Sequence, residues 1–368
     1  MQKTYIKLLI LIFTIGFGVG APHSQSLEST LQNMLDKNAK GYLGPMVTTF
    51  GMCMNSGTYH IAKPHKLLGF DFKVNVALTT VTDAGKTYDF YLPDDSMSVP
   101  ITIGSEELPL SISPDDIYEV DRVSSTMFGD DIFNTIEVDN TKLENAIIAQ
   151  LTSQYSDLTE NEIRDQFSSE ISTAVNSAPV SAITTPIGYN LPAVGLPIGQ
   201  VSIGLPKDIE ISLRGMPSQD LGDIGKLSLN GFGGKIGLNQ FIPLPNLVLP
   251  YFSVGYYSTN LSIGNIVEMK NSITTLQVSK SIPVITLYGG IGMEKSSLDI
   301  SYTYIGDDPE TDAVETDADV PISFNMEGEN QFRTTVGARL KLAILTINAD
   351  YNMGEFNTVN FGVGLTLR

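Results

Sequence analysis

Apolar and polar side chains alternate from Leu68 to Leu78. Even-numbered positions hold large apolar residues, and odd-numbered positions hold small, charged or polar ones. Because successive side chains of a strand point to opposite faces, this pattern predicts a strand with one apolar and one polar face. Its length matches the roughly 9 to 11 residues of a tilted transmembrane strand better than the about 5 to 6 of an ordinary one. The residues predicted to face lipid are Phe70, Phe72, Val74, Val76 and Leu78, and those predicted to face inward are Asp71, Lys73 and Asn75.

The same alternation recurs in the second half of the chain, around residues 296–305 and 330–340. The stretch 200–214 keeps its parity across Pro206, which predicts one long strand that is kinked at the proline. From Phe361 to Leu367 the odd positions place four large apolar side chains on one face. This end is similar to the C-terminal strand that the barrel-assembly machinery recognises, except that Arg368 stands where such strands end in Phe or Trp.

These segments predict an all-β fold, a transmembrane antiparallel β-barrel of about 12 strands, with roughly 10 to 14 compatible with the pattern. An even number of strands would return both ends of the sheet to the periplasm. A secreted soluble β-sandwich, whose strands alternate in the same way against a core, is the alternative. The predicted strands lie near residues 45–54, 67–79, 86–92, 200–214, 225–239, 250–261, 272–281, 283–293, 296–305, 330–340, 342–351 and 357–368.

Two regions do not alternate over the length of a strand. Residues 27–44 show helical spacing, which predicts a short helical segment before a barrel that spans residues 45–368. This helix is either a periplasmic cap or a helix that enters the barrel mouth. Residues 93–199 form an insert with helices predicted near 141–151 and 159–175, the second of which begins with a capping signal at Thr159. Strand parity places both ends of the insert outside, so it is an outer loop or a plug.

The N-terminus has the organisation of a secretory signal peptide, predicted over residues 1–26. Lys3 and Lys7 precede an apolar run, and the small and polar residues that follow include Ser24-Gln25-Ser26. The run is shorter than the roughly 17 to 25 residues of a membrane-spanning helix. We therefore predict export across the inner membrane of a Gram-negative cell and location in the outer membrane, with lipid and the barrel-assembly machinery as partners.

The overall charge and composition exclude some functions. The chain has 41 acidic and 22 basic residues and a formal net charge of −19, which argues against nucleic acid as a partner because phosphates require clustered Lys and Arg. Mean hydropathy is +0.06, as expected where apolar and polar residues alternate. The chain has no Trp, so its 15 Tyr and 16 Phe would have to form the aromatic girdles of a barrel.

Few residues suggest chemistry. A catalytic arrangement could be assembled from Ser56, His60 and Asp71, but triads are defined by geometry and no spacing here pairs a nucleophile with a base. We expect no enzymatic activity and no cofactor, and we predict that His60 and His65 lie in the first outer loop. The single cysteine, Cys53, is predicted to be a small buried residue.

One loop is strongly acidic. Clustered carboxylates can bind divalent cations such as Ca²⁺, although this cluster lacks the central Gly and terminal Glu of an EF-hand. A solvated loop is the simpler interpretation, because runs of charge are usually exposed to water. The acidic residues are Asp307, Asp308, Glu310, Asp312, Glu315, Asp317 and Asp319.

Two segments carry a resemblance to a known family. The sequence MNSGTYHIAKPHKLLGFD at residues 54–71 resembles the opening hairpin of an uncharacterised family of outer-membrane barrels, a domain of unknown function. The sequence IGLPKDIEISLR at residues 203–214 resembles a recurring element of the same family. The resemblance implies a barrel but no substrate. A weaker likeness of architecture is to outer-membrane transporters of long-chain fatty acids, without a match to their ligand sites.

The sequence thus favours an outer-membrane channel or transporter for small solutes, hydrophobic ones included, with the insert as the element that could gate it. A structural or adhesive surface barrel, whose lumen is filled and which transports nothing, is the alternative.

Overall fold

The computed structural model describes residues 25–119, 121–220, 225–241, 249–304 and 320–367. Nearly all of the predicted signal peptide, the predicted acidic loop at residues 307–319 and Arg368 therefore lie outside the described residues. The chain divides into two compact units. We call residues 44–84 and 191–367 the barrel unit, and residues 25–43 and 85–190 the insert unit.

The helices and strands are numbered in chain order. They are α1 Gln25–Asn55, β1 Phe70–Thr80, β2 Thr87–Asp89, β3 Met97–Ile103, β4 Glu106–Ile112, β5 Val123–Ser125, β6 Thr135–Ile136, α2 Asn140–Gln154, α3 Glu160–Gln166, α4 Ser168–Ser177, β7 Ile183–Thr184, β8 Ala193–Leu205, β9 Ile209–Asp220, β10 Lys226–Gly237, β11 Tyr251–Ile263, β12 Val267–Ser281, β13 Ile285–Tyr304, β14 Val320–Glu327, β15 Phe332–Leu342, β16 Leu345–Met353 and β17 Asn357–Leu367. None of the described helices is both long enough and apolar enough to cross a membrane.

The barrel unit is a closed antiparallel barrel of ten strands, and β14 is an additional strand on β13. The sheet runs from β12 through β11, β10, β9, β8, β1, β17, β16 and β15 to β13, and β12 also pairs with β13. The first and last wall strands are paired along their whole length, from Phe70 with Leu367 to Thr80 with Asn357. Closure leaves these ten strands without a free edge, which is what allows a sheet to lie in lipid.

The inside and outside of the barrel follow the predicted parity. Side chains of β1 are alternately exposed and buried, so that Phe72 is 47% exposed and its neighbour Lys73 only 1%. Along β1 the apolar residues lie outside and the polar residues inside, which is the arrangement of a transmembrane barrel rather than of a soluble protein. The predicted transmembrane β-barrel is therefore confirmed. The alternative of a soluble β-sandwich is wrong, because the sheet closes on itself with its apolar face outward.

Five of the predicted strands need correction. Residues 45–54 belong to α1, and the short β2 that replaces the strand predicted at 86–92 lies in the insert unit. The strands predicted at 283–293 and 296–305 form the single strand β13. The stretch 200–214 is not one kinked strand but parts of β8 and β9, joined by a tight turn in which Lys207 and Asp208 have left-handed φ angles of 64° and 48°. The parity survives because Leu205 pairs directly with Ile209 across that turn.

Helix α1 is longer than the predicted segment 27–44. Its final turns contain β-branched residues that usually favour strands, but the hydroxyls of Thr48 and Thr49 donate to the carbonyls of Gly44 and Pro45 one turn earlier. These turns are mostly buried on all sides. They consequently lack the apolar stripe by which a helix is recognised in a sequence.

The insert unit has a conventional apolar core. Helices α2, α3 and α4 and the β3–β4 hairpin contribute to it, and its fully buried members include Ile101, Ile117, Leu143, Ile147 and Ile163. The helix predicted over 159–175 is divided at Phe167 into α3 and α4. The predicted start at Thr159 is confirmed, because its side chain and that of Glu162 form a reciprocal capping box.

Candidate functional site

A segment of the chain fills the barrel lumen. We call residues 44–66 the plug, and we name the two ends of the barrel after the chain segments found there. The insert rim is the end at which β1 stops and β8 starts, and the terminal rim is the end with Phe70 and Leu367. Near the insert rim, Cys53 Sγ of the plug lies 3.1 Å from Thr79 Oγ1 of β1. Near the terminal rim, His65 Nε2 lies 2.9 Å from Thr366 Oγ1 of β17. The plug therefore passes through the lumen from the insert rim to the terminal rim.

Two arginines of the wall hold the C-terminal end of helix α1. Arg333 donates from Nη2 to the carbonyl of Met52 and from Nη1 to the hydroxyl of Ser56, each at 2.7 Å. Arg214 donates from Nη1 to the carbonyl of Met54 at 2.9 Å and from Nη2 to that of Ser56 at 2.6 Å. The last carbonyls of a helix have no partner within it and carry the negative end of its dipole. Both guanidinium groups therefore neutralise the same partial negative charge.

Two lysines of the wall hold the extended part of the plug. Lys73 donates to the carbonyl of Gly57 at 2.9 Å, and Lys235 donates to that of Ile61 at 2.7 Å. Gly57 has a left-handed φ of 64°, and a Cβ there would lie 2.8 Å from the side chain of Asn75. Glycine is thus required where the chain leaves the helix and bends close to the wall.

The two histidines lie inside the barrel, so the prediction that they occupy an outer loop is wrong. His60 is buried, with Nε2 3.5 Å from Oδ2 of Asp71. His65 Nδ1 lies 2.7 Å from Oε2 of Glu210, which also accepts the backbone N–H of His65 at 3.0 Å. Both are polar contacts of the plug with the wall.

The structure brings together only two members of the possible catalytic arrangement. His60 and Asp71 are neighbours, but the hydroxyl of Ser56 donates to the carbonyl of Met52 at 2.7 Å and accepts from Arg333. This hydroxyl is thus engaged by the helix end and not by the imidazole. Absence of enzymatic activity stays a prediction.

Two luminal acids are held by the wall itself. Asp350 accepts hydrogen bonds from Tyr288, Asn352 and Asn360 at 2.7–2.8 Å. Glu294 accepts from Asn330 at 2.7 Å and forms an ion pair with Arg333 at 2.5 Å. These partners belong to strands β13 to β17 or to the segments that join them, so the two carboxylates keep these contacts without the plug, although Asn55 of the plug also hydrogen-bonds Glu294.

Little space remains between plug and wall. A cavity lined by Tyr59, Arg333 and Asp350, among others, has a volume of about 10 Å³, roughly the size needed for one water molecule. Several buried polar atoms of the wall, such as Asp71 Oδ1 and Gln200 Oε1, have no hydrogen-bond partner within the described part of the protein. The plug thus occupies the lumen closely at this level, and its polar groups match those of the wall only in part.

No group of three or more His, Cys, Asp or Glu suited to a metal ion occurs among the residues that the structure describes. The predicted cation-binding residues lie outside that part of the chain, so the divalent-cation site stays a prediction. They are Asp307, Asp308, Glu310, Asp312, Glu315, Asp317 and Asp319.

Sequence reasoning missed the wall arginines, although the signal was present. Arg333 follows Phe332, and Arg214 follows Leu213, in alternating segments whose apolar residues face lipid. A charged residue at the inward parity of a membrane strand points into the lumen. The partners of these arginines could not be predicted, because residues 45–54 of the plug were predicted to be a wall strand.

Comparisons with known proteins add the family. A loop-deletion mutant of OmpT, an outer-membrane protein of Vibrio cholerae, aligns with 82% of this chain and 100% of its own, at 10% identity and a TM-score of 0.23. OccAB4 of Acinetobacter baumannii aligns with 81% of this chain and 97% of its own, at 8% identity and a TM-score of 0.19. These scores are too low to carry an argument. A comparison with curated proteins found no match. The model of the Family of unknown function (DUF6588) matches residues 1–367, and the chain therefore belongs to that family.

Proposed function

We propose that this protein is an outer-membrane channel or transporter for small solutes, whose lumen the plug closes and can open. One observation supports the proposal: a separate segment before the first wall strand occupies the lumen and is held there by side chains of the wall. A helix with its side chains is about 10–12 Å across. A barrel that holds the end of α1 is therefore wide enough for small solutes once that helix leaves.

The contacts of the plug suit a removable element. Wall side chains reach plug backbone groups through hydrogen bonds, including those from Lys73, Arg214 and Lys235. Polar contacts of this kind can be exchanged for contacts with water or solute, because a hydrogen bond to a charged group contributes only about 1.5–3 kcal/mol net. The plug, rather than the insert, is thus the gate that we propose.

The insert rim faces the cell exterior in this proposal. Three of the four connections between strands at the terminal rim, 206–208, 282–284 and 343–344, are short, whereas the insert and the segment 305–319 join strands at the insert rim. Bacterial barrels have short periplasmic turns and long extracellular loops. In a protein that also carries Cys53→Ser, the variant Asp312→Cys should therefore react with a membrane-impermeant thiol reagent on intact cells. The variant Lys207→Cys should react only after the outer membrane is permeabilised. The opposite pattern would reverse the orientation.

The native cysteine offers a direct test of the gate. Because Cys53 Sγ is 3.1 Å from Thr79 Oγ1, the substitution Thr79→Cys should allow a disulfide between plug and wall. We expect proteoliposomes of this variant to admit small sugars and ions when the protein is reduced and to exclude them when it is oxidised. The controls are Thr79→Ser, and Thr79→Cys combined with Cys53→Ser, which should not respond to oxidation.

The outcome also separates the two functions. Equal permeation in the oxidised and reduced states would show that the plug is not the gate. No permeation in either state would favour the structural or adhesive barrel, for which the filled lumen is the supporting observation.

A further inference from the structure

The charges of the lumen differ from those of the whole chain. The described residues include five cationic and four acidic side chains buried in the barrel wall, namely Lys73, Arg214, Lys235, Arg333, Arg339, Asp71, Glu210, Glu294 and Asp350. The formal charge of the chain is nevertheless −19. The acidic excess of the protein therefore lies elsewhere, and the total charge gives the wrong expectation for a solute inside the barrel.

More of the luminal cations than of the luminal acids depend on the plug for a partner. Four of the five cations, including Arg214 and Arg333, donate to oxygen atoms of the plug, so each loses a partner when the plug leaves. Of the four acids, Asp71 and Glu210 lose the plug histidines, whereas Asp350 and Glu294 keep partners on the wall. Displacement of the plug thus exposes cationic donors more than acidic acceptors.

The oxygens that the arginines bind indicate the ligand. Both guanidinium groups reach Ser56, one through its carbonyl and one through its hydroxyl, and each reaches a further carbonyl of the helix end. These oxygens are close together and carry partial negative charge, as the oxygens of a carboxylate or phosphate do. Arginine is suited to such groups because its planar fork of donors matches their geometry.

We propose that Arg214 and Arg333, assisted by Lys73, form a binding site for an oxyanion, a carboxylate- or phosphate-bearing small solute, and that the end of α1 occupies this site when the barrel is closed. Such a solute and the plug compete for the same donors. Since a ligand that binds one state favours that state, the solute favours opening. This inference rests on the proposed function, because it concerns the lumen that the plug uncovers.

Ion selectivity in planar bilayers tests the site in the full chain. The reduced Thr79→Cys variant should conduct under a potassium chloride gradient, and its reversal potential should have the sign of a pore that prefers chloride to potassium. Adding Arg214→Gln and Arg333→Gln should loosen the plug and raise the open probability. The reversal potential should shift toward the value of a pore that prefers potassium. A purely structural role would raise opening without that shift. Arg214→Lys with Arg333→Lys should keep most of the anion preference, and Arg339→Gln is the control for loss of a luminal charge.

A second measurement does not need the arginine variants to fold. Formation of the disulfide in the Thr79→Cys variant should slow when acetate or phosphate replaces chloride at equal ionic strength, since a displaced plug separates the two sulfurs. Comparing acetate with phosphate shows whether the site prefers a carboxylate or a phosphate. A current that favours cations, or an oxidation rate that neither anion changes, would overturn the site alone. Identical current from locked and reduced protein would overturn the proposed gate.

Discussion

The barrel unit buries many charged and polar side chains, whereas the core of the insert unit is apolar. In the barrel, Lys73 and Arg333 are buried while Phe72 is exposed, and in the insert Leu143 and Ile147 are buried. The difference follows from the solvent: lipid accepts apolar side chains on the outside of a closed sheet, whereas a unit surrounded by water must bury them. One chain therefore contains two different relations between sequence and burial.

The largest effect should come from opening the barrel. Removing residues 361–368 deletes most of β17, which pairs with both β1 and β16. Unpaired backbone groups in lipid cost several kcal/mol each, so we expect no assembled barrel. On an unheated gel the band of the folded form, which shifts on heating, should disappear. Deletion of Arg368 alone is the control and should leave that band in place; a folded band in the larger deletion would mean that β17 is dispensable.

The insert should respond to loss of apolar volume in its core. Ile147 is completely buried among apolar residues, and Ile147→Ala should lower the stability of the insert by about 2–5 kcal/mol through lost burial and a cavity. Limited proteolysis of the insert should accelerate, while the gel shift of the barrel is unchanged. If the barrel loses its shift as well, the two units are not independently stable.

The outer face of the barrel should respond to charge. Val74 is exposed near the middle of β1, and Val74→Arg should cost about 2–4 kcal/mol in the membrane. Thr80→Arg lies on the same face but at the end of the strand, where the cost falls to about 0–1 kcal/mol. Urea unfolding in lipid vesicles measures both. Equal costs at the two positions would contradict the proposed depth of β1.

Asn75→Arg cannot serve as an inward-facing control for Val74→Arg. Alternation alone suggests that residue 75 faces a wet lumen and would accept a charge, but the plug lies against it. Asn75 is buried and donates to the carbonyl of Gly57 at 3.2 Å, so a longer side chain would collide with the plug.

Alternation predicted the wall but not what fills it. The parity of β1 and the exposure of its apolar residues followed from the sequence, because a strand in lipid must present one apolar face. The plug could not be predicted, because residues 45–54 are buried by wall residues distant in the chain, such as Arg333, and show neither helical nor strand periodicity. The hairpin at Lys207 was also hidden, since a short turn preserves the parity of both strands. Luminal partners depend on which segment enters the barrel, and no local pattern encodes that choice.

The smallest effect concerns a local contact in the insert. The hydroxyl of Thr159 accepts the backbone N–H of Glu162, whose carboxylate accepts the backbone N–H and the hydroxyl of Thr159, each at 2.8 Å. Thr159→Ala should destabilise the start of α3 by about 1 kcal/mol, the usual cost of losing a helix cap, whereas Thr159→Ser should retain the cap.

Both hydrogen bonds from Thr159 lower the pKa of the Glu162 carboxyl below its usual value. A carboxyl whose pKa is lower in the folded state stabilises the fold above its unfolded pKa and loses that contribution as pH falls through the folded value. The difference between the native protein and the Thr159→Ala variant, measured by hydrogen exchange at the first turn of α3, should therefore shrink on acidification. A difference that stays constant with pH would show that Glu162 contributes nothing to the cap.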